Sequence, residues 1–333
     1  MRSLKIFLLI VLGVAMAIVL LFNRQFNSKN IEEKSGRTET ITSNTLWQAP
    51  VESLLHKEPN AEEILYGKEL IKNTSLYLGI KGSVKAISNG MNCQNCHLEA
   101  GTKAWGNNYA AVYSTYPKFR ERSGAIETIS KRVNDCIERS LNGEALDTNS
   151  KEMLAIISYI KWLGSGLKKG EKPNGSGIIE LPFLDREASP KKGKIVYESK
   201  CQSCHQPNGE GILNSDQKSY TFPPLWGAHS YNSGAGLYRL SRFAGYVKAN
   251  MPLGASYSAP LLTDEEAWDV AAFVNTQKRP SKNINKDWPN LAGKPIDHPF
   301  GPFTDGFSEK QHKLGPFEPI KIKRAEMKKN KTT

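Results

Sequence analysis

Five cysteines occur in the chain, and four of them stand in two copies of one pattern, Cys93-Gln94-Asn95-Cys96-His97 and Cys201-Gln202-Ser203-Cys204-His205. Two thiols separated by two residues and followed at once by an imidazole form the attachment signature of a c-type haem. The spacing lets both thiols add across the vinyl groups of one porphyrin and sets the next side chain under the iron. Two Cys-x-x-Cys pairs also suit zinc, but that use leaves both histidines unexplained. A thioredoxin-like redox pair lacks its neighbouring pattern. The residues therefore predict two covalently bound haem c groups, held by Cys93, Cys96, Cys201 and Cys204, with His97 and His205 as iron ligands.

Each iron needs a second axial group or an open position for substrate. In the second half, Met251 in Ala249-Asn250-Met251-Pro252 is the methionine candidate, with His229 as rival. The first half has no Met-Pro pair, and Met153 lies in an apolar stretch that reads as core. What remains is Cys136. From 126 to 143, apolar residues fall at Ile126, Ile129, Val133, Ile137 and Leu141, a helical spacing that carries Cys136 inward. Arg132 lies four residues before it and Arg139 and Ser140 three and four after, separations at which side chains share a helix face. A buried free cysteine acting as a small hydrophobe accounts for this. So does a thiolate, favoured by the two guanidinium groups, that binds iron or attacks sulfur.

The elements that position these residues repeat. Gly67-Lys68-Glu69-Leu70-Ile71 precedes the first motif and Gly193-Lys194-Ile195-Val196-Tyr197 the second. Met153 to Leu163 follows the first as a buried helix, and Glu265 to Val274, capped by Thr263, follows the second. This duplication is similar to the small all-α cytochrome c fold. It predicts an all-α protein of two cytochrome c-like domains in tandem with an N-terminal membrane anchor helix. Domain 1, with the first haem, spans 46–165; a Gly- and Lys-rich linker spans 166–187; domain 2, with the second haem, spans 188–280. Residues 281–333 are expected to wrap the domains without regular structure and to end in a solvated basic tail.

The anchor is the apolar run Ile6–Phe22, seventeen residues preceded by Arg2 and Lys5. It is at the short limit for a span, and a cleaved signal peptide competes through Ala15-Met16-Ala17. We assign 1–24 to the anchor and 25–45 to a tether, which puts the bulk of the chain on the periplasmic side of the cytoplasmic membrane. With 39% hydrophobic and 23% charged residues among 333, wholesale disorder is excluded, and a single apolar run excludes a multi-span protein. Of the net charge of +12, five units sit between Lys321 and Lys331. No nucleic-acid motif accompanies that charge, so the basic balance fits a small anionic substrate or an acidic redox partner.

Three blocks carry a family resemblance: Asn92 to Leu98, Tyr116-Pro117-Lys118-Phe119-Arg120-Glu121-Arg122-Ser123-Gly124, and Arg132-Val133-Asn134-Asp135-Cys136-Ile137-Glu138-Arg139-Ser140. With Phe222 to Gly227, Asn250-Met251-Pro252 and Lys294 to Phe303, the chain resembles the di-haem thiosulfate dehydrogenases over roughly 60–320. The resemblance implies oxidation of two thiosulfates to tetrathionate, or the reverse, at a first haem ligated by His97 and Cys136. A second haem ligated by His205 and Met251 would pass electrons to a redox partner such as a cytochrome c, an oxidase or a quinone enzyme. Some members carry lysine before the methionine and exchange the two; Asn250 stands there, so no such switch is expected. Arg122, Arg132 and Arg139, with Ser140, are the candidates for holding the sulfonates, and Arg120 and Lys103 are weaker ones. An anchored di-haem electron carrier is the alternative function, and it needs neither the thiol nor the arginines.

Overall fold

The computed structural model describes residues 45–330. The anchor expected at 1–24 and the tether as far as 44 lie outside the described residues. Among the described residues no helix is long and apolar enough to cross a membrane.

Domain 1 is built on two crossing helices. Helix α1 (Ala61–Lys72) opens on Glu62 and Glu63, closes on Lys72 and buries Ile64, Gly67, Leu70 and Ile71 along one face. Helix α2 (Ile129–Arg139) starts where the Thr128 hydroxyl accepts from the Lys131 amide. Helix α3 (Lys151–Leu163), capped by Ser150, buries Met153, Ile156, Tyr159, Ile160 and Leu163 against α1. Domain 2 repeats the plan. Helix α4 (Pro190–Lys200) is capped by Ser189 with Pro190 in its first turn. Helix α5 (Leu240–Asn250) leads to Met251 at its C-cap. Helix α6 (Asp264–Thr276) opens on a capping box between Thr263 and Glu266 and packs on α4 and α5.

The duplication is visible at the two crossings. A Cβ on Gly67 would lie 1.9 Å from the Ala155 carbonyl oxygen, and one on Gly193 would lie 1.8 Å from that of Asp269. Only glycine lets each helix pair approach this closely. Gly67→Ala and Gly193→Ala are each expected to destabilise the protein by about 2–3 kcal/mol through overpacking. A fall in the thermal unfolding midpoint of the haem-loaded protein checks this; an unchanged midpoint would show that the crossings can spread without cost.

Two expectations are corrected. The apolar spacing placed Ile126 on the helix of Cys136, but Ile126 lies in a strand and is 73% exposed. Strands β1 (Lys118–Arg120) and β2 (Ala125–Glu127) pair antiparallel, with Lys118 opposite Glu127 and Phe119 opposite Ile126. Gly124, at φ +65°, permits the reversal between them, and Thr128 then starts the helix afresh. A second hairpin joins Ile212–Leu213 to Tyr220–Phe222.

The C-terminal segment, expected to be irregular and to end in a disordered tail, contains α7 (Glu309–Leu314) and α8 (Glu318–Lys329). Phe317 and Ile320 are 2% and 0% exposed and anchor α8 in the core of domain 2, where Phe317 packs on Trp268 and Phe183. The density of lysines concealed those two apolar contacts. Asp305 accepts from the fully buried His312 at 3.0 Å and from Arg324 at 2.5 Å, tying the two helices together.

The linker of 166–187 runs as a strap held to both domains. Trp105 and Asn107 donate to the carbonyls of Gly175 and Gly177, both at 2.8 Å, and Trp268 donates to the Pro182 carbonyl at 3.0 Å. The two domains also touch directly. The Asn232 amide group donates to the Glu138 carbonyl at 2.8 Å, and the Tyr246 hydroxyl to the Asn95 carbonyl at 2.9 Å.

Candidate active site and haem cavities

The first Cys-x-x-Cys-His loop is fixed from behind. The Cys93 amide donates to the Thr74 hydroxyl at 2.9 Å, and Asn92 accepts from Ser75 at 2.8 Å while its own amide donates to the Asn95 side chain. His97 faces the Asn107 carbonyl through Nδ1 at 2.5 Å and stacks on Tyr109, ring centroids 4.5 Å apart. A carbonyl only accepts, so Nδ1 donates to it, and the ring lines a cavity that it shares with Cys136. Thiols of Cys93 and Cys96 line that cavity, and α2 forms the opposite wall with Arg132, Val133, Cys136, Ile137 and Ser140.

The three thiols of this cavity differ in electrostatics. Burial pushes Cys93 up to about 11 and Cys96 up to about 12, which keeps them neutral. Burial opposes the Cys136 thiolate as well, but Arg132, the His97 ring and Arg122 outweigh it and bring Cys136 down to about 7. The Cys136 thiolate in turn is the largest influence holding Arg132 protonated, against burial.

The three candidate arginines part company. Arg132 lines the cavity and, among the described residues, forms no ion pair or hydrogen bond with a side chain. Arg122 is paired with Asp135 at 2.5 Å, and Lys131 takes the other oxygen of that carboxylate at 2.5 Å. Arg139 turns away from the thiol. It grips Asp287 with both terminal nitrogens, at 2.7 and 2.8 Å, and both side chains are about 11% exposed. Ser140 lines the cavity beside Cys136. Arg120 approaches Glu127 at 3.9 Å. Sequence reasoning missed Asp135, Asn107 and Thr74. Asp135 had a signal, since it stands four residues after Lys131. Asn107 and Thr74 act through a carbonyl and a hydroxyl at loop positions that no pattern marks.

The second cavity repeats the first with different chemistry. His205 donates from Nδ1 to the Pro223 carbonyl at 2.8 Å, and Met251 lines the same space as Cys201 and Cys204. His229, the rival ligand, is exposed and does not line it. Lys248 is engaged elsewhere, with Asp264 at 2.7 Å and the Leu262 carbonyl at 2.8 Å. Asn250 donates to the Trp105 carbonyl of domain 1 at 3.1 Å. The two cavities share a wall, because Asn92 and Cys96 line both.

The donor sets test whether haem fits. Each cavity offers the two thiols of its motif, an imidazole whose Nδ1 is turned to a carbonyl, and one further sulfur, and apolar side chains make up most of the remaining lining. None of the five cysteines is in a disulfide. The residues fit two covalently bound haem c groups, and the protein is a di-haem c-type cytochrome of two tandem cytochrome c domains. Residues 83–168 match the family described as SoxA/TsdA, cytochrome c domain, and residues 190–278 match the family described as Cytochrome c.

A thiosulfate dehydrogenase of Allochromatium vinosum is 38% identical over 235 residues, which cover 69% of this chain and 83% of that protein. One from Psychrobacter arcticus is 36% identical over 259 residues, covering 77% and 76%. The solved thiosulfate dehydrogenase TsdBA of Marichromatium purpuratum, in its as-isolated form, superposes with a TM-score of 0.66 at 29% identity over 82% of this chain; the chain spans 54% of that longer one. The chain belongs to the thiosulfate dehydrogenase family.

Proposed function

We propose that the protein joins two thiosulfate dianions into tetrathionate and delivers the two electrons released to an external redox protein. The observation that carries this reading is Cys136, a thiol facing His97 across the first cavity beside an Arg132 that has no ion-pair partner among the described residues. An electron carrier has no use for that arrangement. We assign His97 and Cys136 to the first iron, and His205 and Met251 to the second.

The bound haems supply one-electron acceptors next to the thiol. The chain does the rest. Two dianions repel, so a fixed cation must be in place before they meet. Arg132 meets one sulfonate with paired N–H donors, Ser140 adds a hydroxyl, and Arg122 strengthens the field from behind, held by Asp135. The Cys136 thiolate bonds to the sulfane sulfur of the first thiosulfate, giving Cys–S–S–SO₃⁻ with the loss of two electrons. The sulfane sulfur of a second thiosulfate then attacks the thiosulfate-derived sulfane sulfur. The bond to Cys136 breaks, the thiolate is restored and tetrathionate leaves. Covalent capture divides one step into two easier ones.

Covalent haem attachment in bacteria takes place outside the cytoplasmic membrane, which supports a periplasmic setting. The apolar run Ile6–Phe22 supports anchoring there, facing an acceptor such as a soluble cytochrome c, an oxidase or a quinone enzyme.

The test is anaerobic reduction of ferricyanide by the haem-loaded protein with thiosulfate. Two ferricyanides reduced per tetrathionate formed is the expected result. No turnover with thiosulfate, and none with tetrathionate and a reduced dye, would overturn the reading in favour of the electron carrier.

A further inference from the structure

The β1–β2 hairpin stands beside this site with a charge arrangement that the steps above leave unused. Lys118 and Arg120 are two apart on β1 and therefore share a face, and Glu127 lies opposite Lys118 in register. That face turns inward: Glu127 is 2% exposed, whereas Phe119 and Ile126 on the other face are 57% and 73% exposed. Lys172, from the strap, and Arg132, from α2, are charged neighbours of Lys118.

Anions are short here. Asp135 is already shared between Arg122 and Lys131. Neither carboxylate oxygen of Glu127 has a hydrogen-bond partner, and Arg120 stops 3.9 Å away. Lys118 rests over the Tyr116 ring, 4.8 Å from its centroid, and forms no ion pair among the described residues. Burial first, then Arg120, Lys172 and Arg132, bring its ammonium down to about 8, with Glu127 offsetting only part. Lys118, Arg120 and Arg132 are thus half-buried around one unbonded carboxylate, with the exposed Lys172 as a further charged neighbour of Lys118, and cations in that state call for an external anion.

Tetrathionate carries a sulfonate at each end of a four-sulfur chain. When one end lies between Arg132 and Ser140, the other must lie away from Cys136. We propose that Lys118, Arg120 and Lys172 form the subsite for this distal sulfonate. In the forward direction the same subsite holds the second thiosulfate while its sulfane sulfur attacks. The inference rests on the function proposed above and adds its second substrate position.

The experiment compares haem-loaded wild type with Lys118→Ala, Lys172→Ala and the double variant. Kinetics are measured in both directions, and tetrathionate binding to the oxidised protein is followed by calorimetry. In the double variant, KM for thiosulfate and for tetrathionate and the calorimetric Kd are expected to rise about tenfold or more. The haem spectra should not change, since neither lysine lines the haem cavities. Lys118→Arg separates charge from structure. Above pH 8 the wild-type ammonium deprotonates and KM climbs, whereas the arginine variant keeps its KM low. The charged and titratable groups facing position 118 are Tyr116, Arg120, Glu127, Arg132 and Lys172. Thiosulfate itself stays a dianion throughout that range.

Unchanged KM and Kd in the double variant overturn the subsite. A wild type that binds tetrathionate, loses that binding in the double variant and still oxidises no thiosulfate overturns the proposed function and leaves the subsite standing.

Discussion

A Cys136→Gly protein is expected to carry both haems and to oxidise no thiosulfate, with kcat lowered at least about 10³-fold, as when the nucleophile of a covalent mechanism is removed. Its haem count should stay at two per chain, because Cys93, Cys96, Cys201 and Cys204 are untouched and their loops are held by Thr74, Asn92 and the histidine carbonyl contacts. The pyridine haemochrome count and the ferricyanide assay on one preparation decide the matter. Turnover within tenfold of wild type would show that the thiol is a bystander and that sulfur–sulfur bonding proceeds without it. The glycine sits inside α2, where its helix propensity lowers stability by about 1 kcal/mol, so Cys136→Ala is the control for fold.

The second large effect separates two arginines that the sequence could not tell apart. Arg132→Ala is expected to lower kcat/KM about 10²- to 10³-fold while leaving the unfolding midpoint nearly unchanged, because it removes a cation directed at substrate. Arg139→Ala strands Asp287 as an unpaired carboxylate that is 11% exposed, and should destabilise the fold by about 3 kcal/mol. Kinetics and thermal unfolding of both variants side by side test the assignment. If Arg139→Ala loses activity without losing stability, it is Arg139 that works on substrate and the ion pair is incidental.

The haem chemistry was legible because it rests on neighbours in the chain: two thiols and an imidazole within five residues, twice. The repeated helices were legible for the same reason, and the glycine opening each helix motif proved to be the crossing point of its domain. Arg139 was not legible. Its distance from Cys136 along α2 is that of a side chain on the same face, but its partner stands 148 residues later, and no local pattern records such a pair. Ile126 misled in the opposite way. It satisfied the period of the helix, but Gly124 and Thr128 on either side of it end one element and start another. Arg120 stood out only as a weaker candidate and Lys118 not at all, because their meaning depends on a strand register that turns them toward Arg132 and on the scarcity of carboxylates there. The C-terminal helix was hidden by its own lysines, since burial of Phe317 and Ile320 outweighs the composition around them.

The pairing of Arg139 with Asp287 also orders events in the life of the chain. Every iron ligand we assign lies before residue 252, and Asp287 comes later. A chain that folds from its N-terminus onward therefore acquires its haem-binding loops first, while the end of the helix bearing Cys136 waits for a residue still to come. The helix that carries Cys136 is therefore settled only by the last sixth of the chain, the same stretch that supplies Phe317 and Ile320 to the core of domain 2.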